Sequence, residues 1–328
     1  MMKEKRNLSI SDIDDKRNGL SIVVPFLNEE EGIVAFCDAI DEHSTVLDFP
    51  IEIVFVNDGS TDKSVELIRQ YDFKNLKKVK VVDLSRNFGS HAAIRAGVAN
   101  AYYDNCTWMG SDLQEPIEFL ALSFEQLKAG YDAVYIEKKT VKVSVFNRAF
   151  SKMYSRLMRK YAVSNYSSDG ISVIVFNHKI KKLLNDNIES NSSIMLQIMN
   201  SGYKYTTLSL DFHERSAGKS KWTLSKKIKL FIDSFVAFSF MPIRLVSIIG
   251  IIMFFVGLIA GIVVVVNKFI NPSAPLGYST VAVILLVGFG ITNISLGIIA
   301  EYLWRAYDAA RKRPVYIVSE VYDLTDEQ

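Results

Sequence analysis

Two nearly continuous apolar runs, Ile243–Val266 and Val281–Ala300, constrain this chain more than any other feature. About 20 apolar residues at 1.5 Å rise span the hydrocarbon core of a bilayer, and uncharged runs of that length are rare in soluble cores. The pair therefore predicts a transmembrane hairpin, with two buried core helices as the plainer alternative. Basic residues crowd both flanks: Lys219, Lys221, Lys226, Lys227, Lys229 and Arg244 before it, and Arg305, Arg311, Lys312 and Arg313 after it. The connecting loop Asn267–Tyr278 carries only Lys268. By the positive-inside rule both flanks face the cytoplasm, which places a multi-pass protein in the inner membrane with its soluble part and both termini inside. Pro272, Pro275 and Gly277 then form a turn on the far side.

The 328 residues leave room for one catalytic-sized soluble domain ahead of the hairpin. The mean hydropathy of +0.15 is high for a soluble protein, and the two runs supply the excess. Met1–Asn18 is charged and lacks an apolar stretch, so no signal peptide is expected. Cys37 and Cys106 fit no metal or redox spacing and read as reduced, buried thiols.

Between tail and hairpin, short apolar runs alternate with helical stretches. Leu20–Phe26, Ile51–Val56, Val79–Leu84 and Thr107–Gly110 read as strands. Helices are expected from Glu29 to about Ser44, from Thr61–Asp62 towards Tyr71, and over His91–Tyr103. This alternation predicts an α/β fold, an open and mostly parallel sheet with helices on both faces. Ligands of such sheets bind beyond the carboxyl ends of the strands. The polar clusters lie there: Asn28-Glu29, Asn57-Asp58, Ser85-Arg86-Asn87 and Ser111-Asp112. Asn57-Asp58-Gly59 also suits a plain turn. His91 reads equally as a substrate contact or a helix-start residue.

Over Val145–Tyr161 an apolar stripe of Phe146, Phe150, Met153, Tyr154, Leu157, Met158 and Tyr161 faces Arg148, Lys152, Arg156, Arg159 and Lys160. Such a helix lies in a membrane interface or packs on a core with a solvated basic face. Leu224–Phe240 has similar character. The basic residues at 219–229 adjoin a membrane span, so anionic lipid head groups rather than nucleic acid are their expected partner.

Five motifs, VPFLNEE (24–30), VNDGS (56–60), LSRNFG (84–89), SDLQEP (111–116) and ERSAGKSKW (214–222), together resemble glycosyltransferase family 2. Within it they are similar to the polyprenyl-phosphate glycosyltransferases, the group of dolichol-phosphate mannose synthase and bacterial bactoprenol glucosyltransferases. The resemblance runs from about Leu20 to Val318 and implies a GT-A type Rossmann-like domain over 19–214. A mobile loop and juxtamembrane helix follow over 215–242, two transmembrane helices over 243–304, and a cytoplasmic tail over 305–328. It implies transfer of a sugar from a nucleotide-sugar, expected to be UDP-linked, to undecaprenyl phosphate or a similar polyprenyl phosphate, with inversion, for cell-surface glycan modification. Relatives commonly assemble as homotetramers.

Position by position, Pro25 and Glu29 match residues that hold base and ribose, and Asp58 matches the carboxylate that recognises the base. Asp112 matches the last Asp of the family's metal motif and Gln114 a further ligand, for Mg²⁺ or Mn²⁺, with Ser111 beside them in the donor site. Arg215, Lys219 and Ser220 match the loop that closes over the phosphates. Arg148 is placed near the lipid phosphate, as is Arg215, and catalysis is expected to rest on Asp112 and Arg215. Two family positions differ. The first metal carboxylate is replaced by Gly110, and the later DxGxFR pattern becomes Ser168-Asp169-Gly170-Ile171-Ser172-Val173, without its Asp and Arg. A non-catalytic scaffold binding nucleotide-sugar or lipid phosphate is the alternative. Two spans are too few for the channel of a processive polysaccharide synthase.

Overall fold

The computed structural model describes residues 18–139, 171–189, 193–212, 278–311 and 313–325, with Lys16 and scattered positions between 156 and 270. In chain order the elements are β1 (Leu20–Phe26), α1 (Ile33–Ser44), β2 (Ile51–Asn57), α2 (Ser64–Gln70), β3 (Val79–Leu84), α3 (Ser90–Asn100), β4 (Asn105–Trp108), α4 (Phe119–Lys128) and β5 (Ala133–Lys138). After them come β6 (Ile171–Phe176), α5 (His178–Asp186), α6 (Ile194–Asn200), β7 (Tyr205–Leu210), α7 (Tyr278–Arg311) and β8 (Val318–Asp323).

The strands form one sheet in the order β7-β5-β6-β4-β1-β2-β3-β8. β1 pairs in parallel with β2 and β4, β2 with β3, and β5 with β7, while β6 and β8 run antiparallel to their neighbours. β1 and β2 are apolar almost throughout because both faces of the sheet are covered. One face packs under Phe36 and Ile40 of α1, Ile68 of α2 and Phe119 and Leu120 of α4. The other packs under Ala93 and Ala96 of α3, Ile180 and Leu184 of α5, and Ile194 and Ile198 of α6. The α/β sheet expected from the alternation is thus present, and Cys37 on α1 and Cys106 on β4 are buried free thiols. Burial pushes both thiols up to about 12, so neither is a nucleophile near neutral pH.

The segment expected to be a tail contributes a strand. β8 pairs with β3 from Lys80↔Asp323 to Leu84↔Val318, and the Ser85 N–H donates to the Ile317 carbonyl at 3.0 Å. It is a short edge strand with mostly exposed side chains, so it lacks the apolar run that marks the central strands. Its start lies at the carboxyl end of β3, and residues 312–317 alone join it to α7.

α7 is continuous over 34 residues. Val281, Ile284, Leu285, Phe289, Ile294, Leu296, Ile299 and Leu303 on it are exposed. Among the described residues no helix is long and apolar enough to cross a membrane. Side chains at 282, 283, 286 and 287 fall outside those residues, and the first apolar run is described only at scattered positions, so the hairpin rests on the sequence.

Asp132 ties the far side of the sheet together. Its carboxylate accepts from Lys179 Nζ at 2.8 Å, Asn177 Nδ2 at 2.9 Å and the Lys204 N–H at 3.2 Å, joining β5 to the start of α5 and the approach to β7. Burial raises its pKa, but hydrogen bonds from Lys179, Asn177 and Lys204 outweigh that and hold it below the ordinary value. A carboxylate depressed in the folded state stabilises above its unfolded pKa and loses that contribution as pH falls through the folded one. Asp132→Asn is therefore expected to lower the thermal midpoint by several degrees at neutral pH. The deficit should narrow below about pH 4, near the unfolded pKa of Asp, when melting is followed across pH.

Candidate active site

The carboxyl ends of β1, β2, β3 and β4 lie side by side, through the pairs Phe26↔Asn57, Asn57↔Asp83 and Val23↔Trp108. The loops leaving them are zipped together by reciprocal hydrogen bonds. The Asn28 N–H donates to Ser60 Oγ at 3.0 Å, and the Thr61 N–H donates back to Asn28 Oδ1 at 2.9 Å. The Glu29 N–H donates to Ser64 Oγ at 2.9 Å, while Glu30 and Asp62 exchange side-chain acceptors with the N–H groups of Lys63 and Glu30. Asn28, in the left-handed region at φ 52°, makes the turn that aims these groups across the gap.

Asp58 joins the third loop. Its Oδ1 accepts the Phe88 N–H at 2.7 Å and its Oδ2 accepts the Gly89 N–H at 2.9 Å. The residue is 5% exposed, and its pKa is raised by burial, against the pull of those two N–H groups and the Arg86 charge. Gly59 beside it has φ +79°, and a Cβ there would stand 2.7 Å from Asn87 N. Only glycine lets the second and third loops close this tightly.

The fourth loop begins where the Met109 N–H donates to the Val23 carbonyl at 3.0 Å. It then coils back on itself, with Leu113 at φ 53°. That coil returns Glu115 to the loop's own start, where the Gly110 N–H donates to Glu115 Oε2 at 3.3 Å. A Cβ on Gly110 would lie 2.9 Å from Asp112 Oδ1 and 3.5 Å from Glu115 Oε2. Two carboxylates thus converge on the space that a side chain at 110 would fill. Burial first, and then the neighbouring Asp112 charge, push the Glu115 carboxyl up to about 7.

Residues 21–197 of this chain match the family described as Glycosyl transferase family 2. The chain belongs to that family. It is 33% identical over 309 residues to the uncharacterized glycosyltransferase YkcC of Bacillus subtilis (strain 168), covering 94% of this chain and 95% of that protein. It is 29% identical over 313 residues to an undecaprenyl-phosphate 4-deoxy-4-formamido-L-arabinose transferase of Pectobacterium carotovorum (strain PC1), covering 94% of each. Among solved structures, a mannosyltransferase of Pyrobaculum calidifontis in complex with GDP-Man and Mn2+ aligns with TM-score 0.43 and 18% identity. That alignment covers 62% of this chain and 59% of the other.

In this glycosyltransferase Pro25, Glu29, Asp58, Ser111, Asp112 and Gln114 all sit on or beside the carboxyl edge of β1, β2 and β4. Arg148, Arg215, Lys219 and Ser220 lie outside the described residues, as do Ser168 and Asp169. Val173, at the position where the DxGxFR pattern has its arginine, is a fully buried core residue of β6 paired with Ile136. Among the described residues His91 Nδ1 is enclosed without a hydrogen-bond partner, and burial and then the charge of nearby Arg95 hold its pKa below the usual range. Arg95 donates to Gln197 Oε1 at 2.7 Å inside the protein. Sequence reading missed two things here. One is the grip of Asp58 on the third loop; the other is the return of Glu115, for which its place three residues after Asp112 was the available signal.

Removing the Asp58 carboxylate leaves two N–H groups without their acceptor, at about 1–3 kcal/mol for each group left unsatisfied. Asp58→Ala should therefore lower the melting temperature of the protein by several degrees, followed by circular dichroism.

Proposed function

We propose that this glycosyltransferase moves one sugar from a UDP-linked donor to undecaprenyl phosphate or a similar polyprenyl phosphate at the cytoplasmic face of the inner membrane. The observation that carries this reading is a coincidence at one edge of the sheet. The loops with Asp58 and Asp112 leave that edge from β2 and β4, and β8, joined by a short link to the apolar helix α7, begins at the same edge beside β3. A lipid anchored in the bilayer would then find the site close to the point where the chain leaves it. The name of the Pectobacterium relative, which aligns over nearly its whole length, supports a polyprenyl phosphate acceptor. Trp304 and Tyr307, with Arg305 and Arg311, suit the interfacial end of a span.

The acceptor chemistry is undemanding in one respect. A phosphate monoester has a second pKa of about 6 and is largely ionised at neutral pH, so no side chain has to remove a proton from it. What the protein must do is hold two anionic partners in line and stabilise the leaving diphosphate. Pro25, Glu29, Asp58 and Ser111 take the nucleoside side of the donor in this reading. Lys219 and Ser220 close over its diphosphate, while Arg148 and Arg215 meet the acceptor phosphate. Attack from the face opposite the leaving group inverts the anomeric carbon.

Asp112 and Gln114 offer oxygen donors that suit Mg²⁺ or Mn²⁺, and the glycine at 110 leaves open the space beside the Asp112 carboxylate. A cation held there supplies positive charge to the leaving diphosphate.

Purified full-length protein in detergent, given divalent metal, undecaprenyl phosphate and a panel of nucleotide-sugars, is expected to yield a lipid-linked monosaccharide by mass. Asp112→Asn should reduce kcat/KM by roughly a hundredfold, about 2.7 kcal/mol of transition-state stabilisation. Absence of a lipid product with every common nucleotide-sugar, while UDP still binds, would overturn the reading.

A further inference from the structure

We propose that Glu115 supplies the carboxylate that Gly110 removes, so that Asp112 and Glu115 together form the anionic half of the cation site. This rests on the metal-assisted transfer described above and concerns which residues of this chain serve it. Three observations point to Glu115. Its side chain folds back over the turn to the start of the loop, where Oε2 accepts the Gly110 N–H at 3.3 Å. Asp112 Oδ1 and Glu115 Oε2 both lie within 3.5 Å of the single point that a Cβ on residue 110 would occupy. Leu113, at φ 53°, holds the backbone conformation that reverses the chain between the two acids. A carboxylate on residue 110 would project from the very space that these two oxygens border.

The glycine and the glutamate are therefore coupled. Even a methyl group at 110 would approach Asp112 Oδ1 to 2.9 Å, tighter than ordinary contact, so the Asp112 carboxylate would have to shift. With glycine there, Asp112 and Glu115 give the turn two carboxylates of hard oxygens. Divalent Mg²⁺ and Mn²⁺ favour such oxygens, with substrate diphosphate and water completing the coordination.

A purely structural Glu115 would need only to accept the Gly110 N–H, which a glutamine can also do. Glu115→Gln therefore separates the two roles. Mn²⁺ binding to the full-length protein in detergent is measured by the electron paramagnetic resonance signal of free Mn²⁺, at saturating UDP. The expected result is at least a tenfold rise in the Mn²⁺ Kd for Glu115→Gln, comparable to Asp112→Asn, with the melting temperature of the metal-free protein not lowered. Unchanged Mn²⁺ binding in Glu115→Gln, alongside a clear loss in Asp112→Asn, overturns the proposal. So does a wild-type protein that takes up no Mn²⁺ with UDP. The transfer assay separates this from the broader reading. If wild type makes lipid-linked sugar but Glu115→Gln binds Mn²⁺ normally, only the role of Glu115 falls. If Glu115→Gln loses Mn²⁺ but wild type makes no lipid product, only the acceptor assignment falls.

Discussion

The carboxyl edge of the sheet in this protein depends on one buried carboxylate. Asp58 is the first residue after β2, and its two oxygens are taken by the amides of Phe88 and Gly89 from the loop after β3. A charged acceptor for two backbone N–H groups makes stronger hydrogen bonds than a neutral one, and the enclosure that raises its pKa also shields those bonds from water. The zipper between Asn28, Ser60 and Thr61 fixes the first loop to the second in the same manner. Three separate segments thus form one hydrogen-bonded rim without a ligand present. Ordering loops costs conformational entropy, and here folding has met that cost in advance.

Much of this was legible in the sequence because the central strands obey strong local rules. Leu20–Phe26 and Val79–Leu84 are short apolar runs bounded by polar turns, and the structure keeps their limits. The clusters at Asn28-Glu29, Asn57-Asp58, Ser85-Asn87 and Ser111-Asp112 could be assigned to one edge because parallel strands with helical crossovers put all their carboxyl ends together. Other features left no local signature. β8 is held by pairing with β3 rather than by burying an apolar face, so Val318–Asp323 carries too few apolar residues to announce a strand. The antiparallel insertion of β6 between β4 and β5 likewise follows from sheet assembly and not from any one segment. Asp58 was picked out as a ligand contact, and its structural grip became visible only once the partner loop was in place.

The turn after β4 shows why a motif and a site are different objects. By sequence, Gly110 subtracts a carboxylate from the family pattern. In three dimensions the same glycine leaves the space that Asp112 and Glu115 approach from two sides. Val173 makes the opposite point, since the position of a customary arginine is here part of the apolar core of β6. Helix α7 and the strand-end edge are linked through β8 in turn. A short segment after α7 enters the sheet at the carboxyl end of β3, and the Ile317 carbonyl takes the N–H of Ser85, the first residue of the loop that Asp58 grips.

The preformed rim is tested most directly by amide hydrogen exchange of Phe88 and Gly89 in the free protein, without nucleotide or metal. Amides held by a buried carboxylate should exchange at least about a hundredfold more slowly than an exposed loop, an opening free energy of about 2.7 kcal/mol or more, with little further slowing when UDP is added. Exchange of both amides at the rate of unstructured chain, becoming slow only with UDP bound, would show that the ligand builds the rim and would contradict a site organised in advance by Asp58.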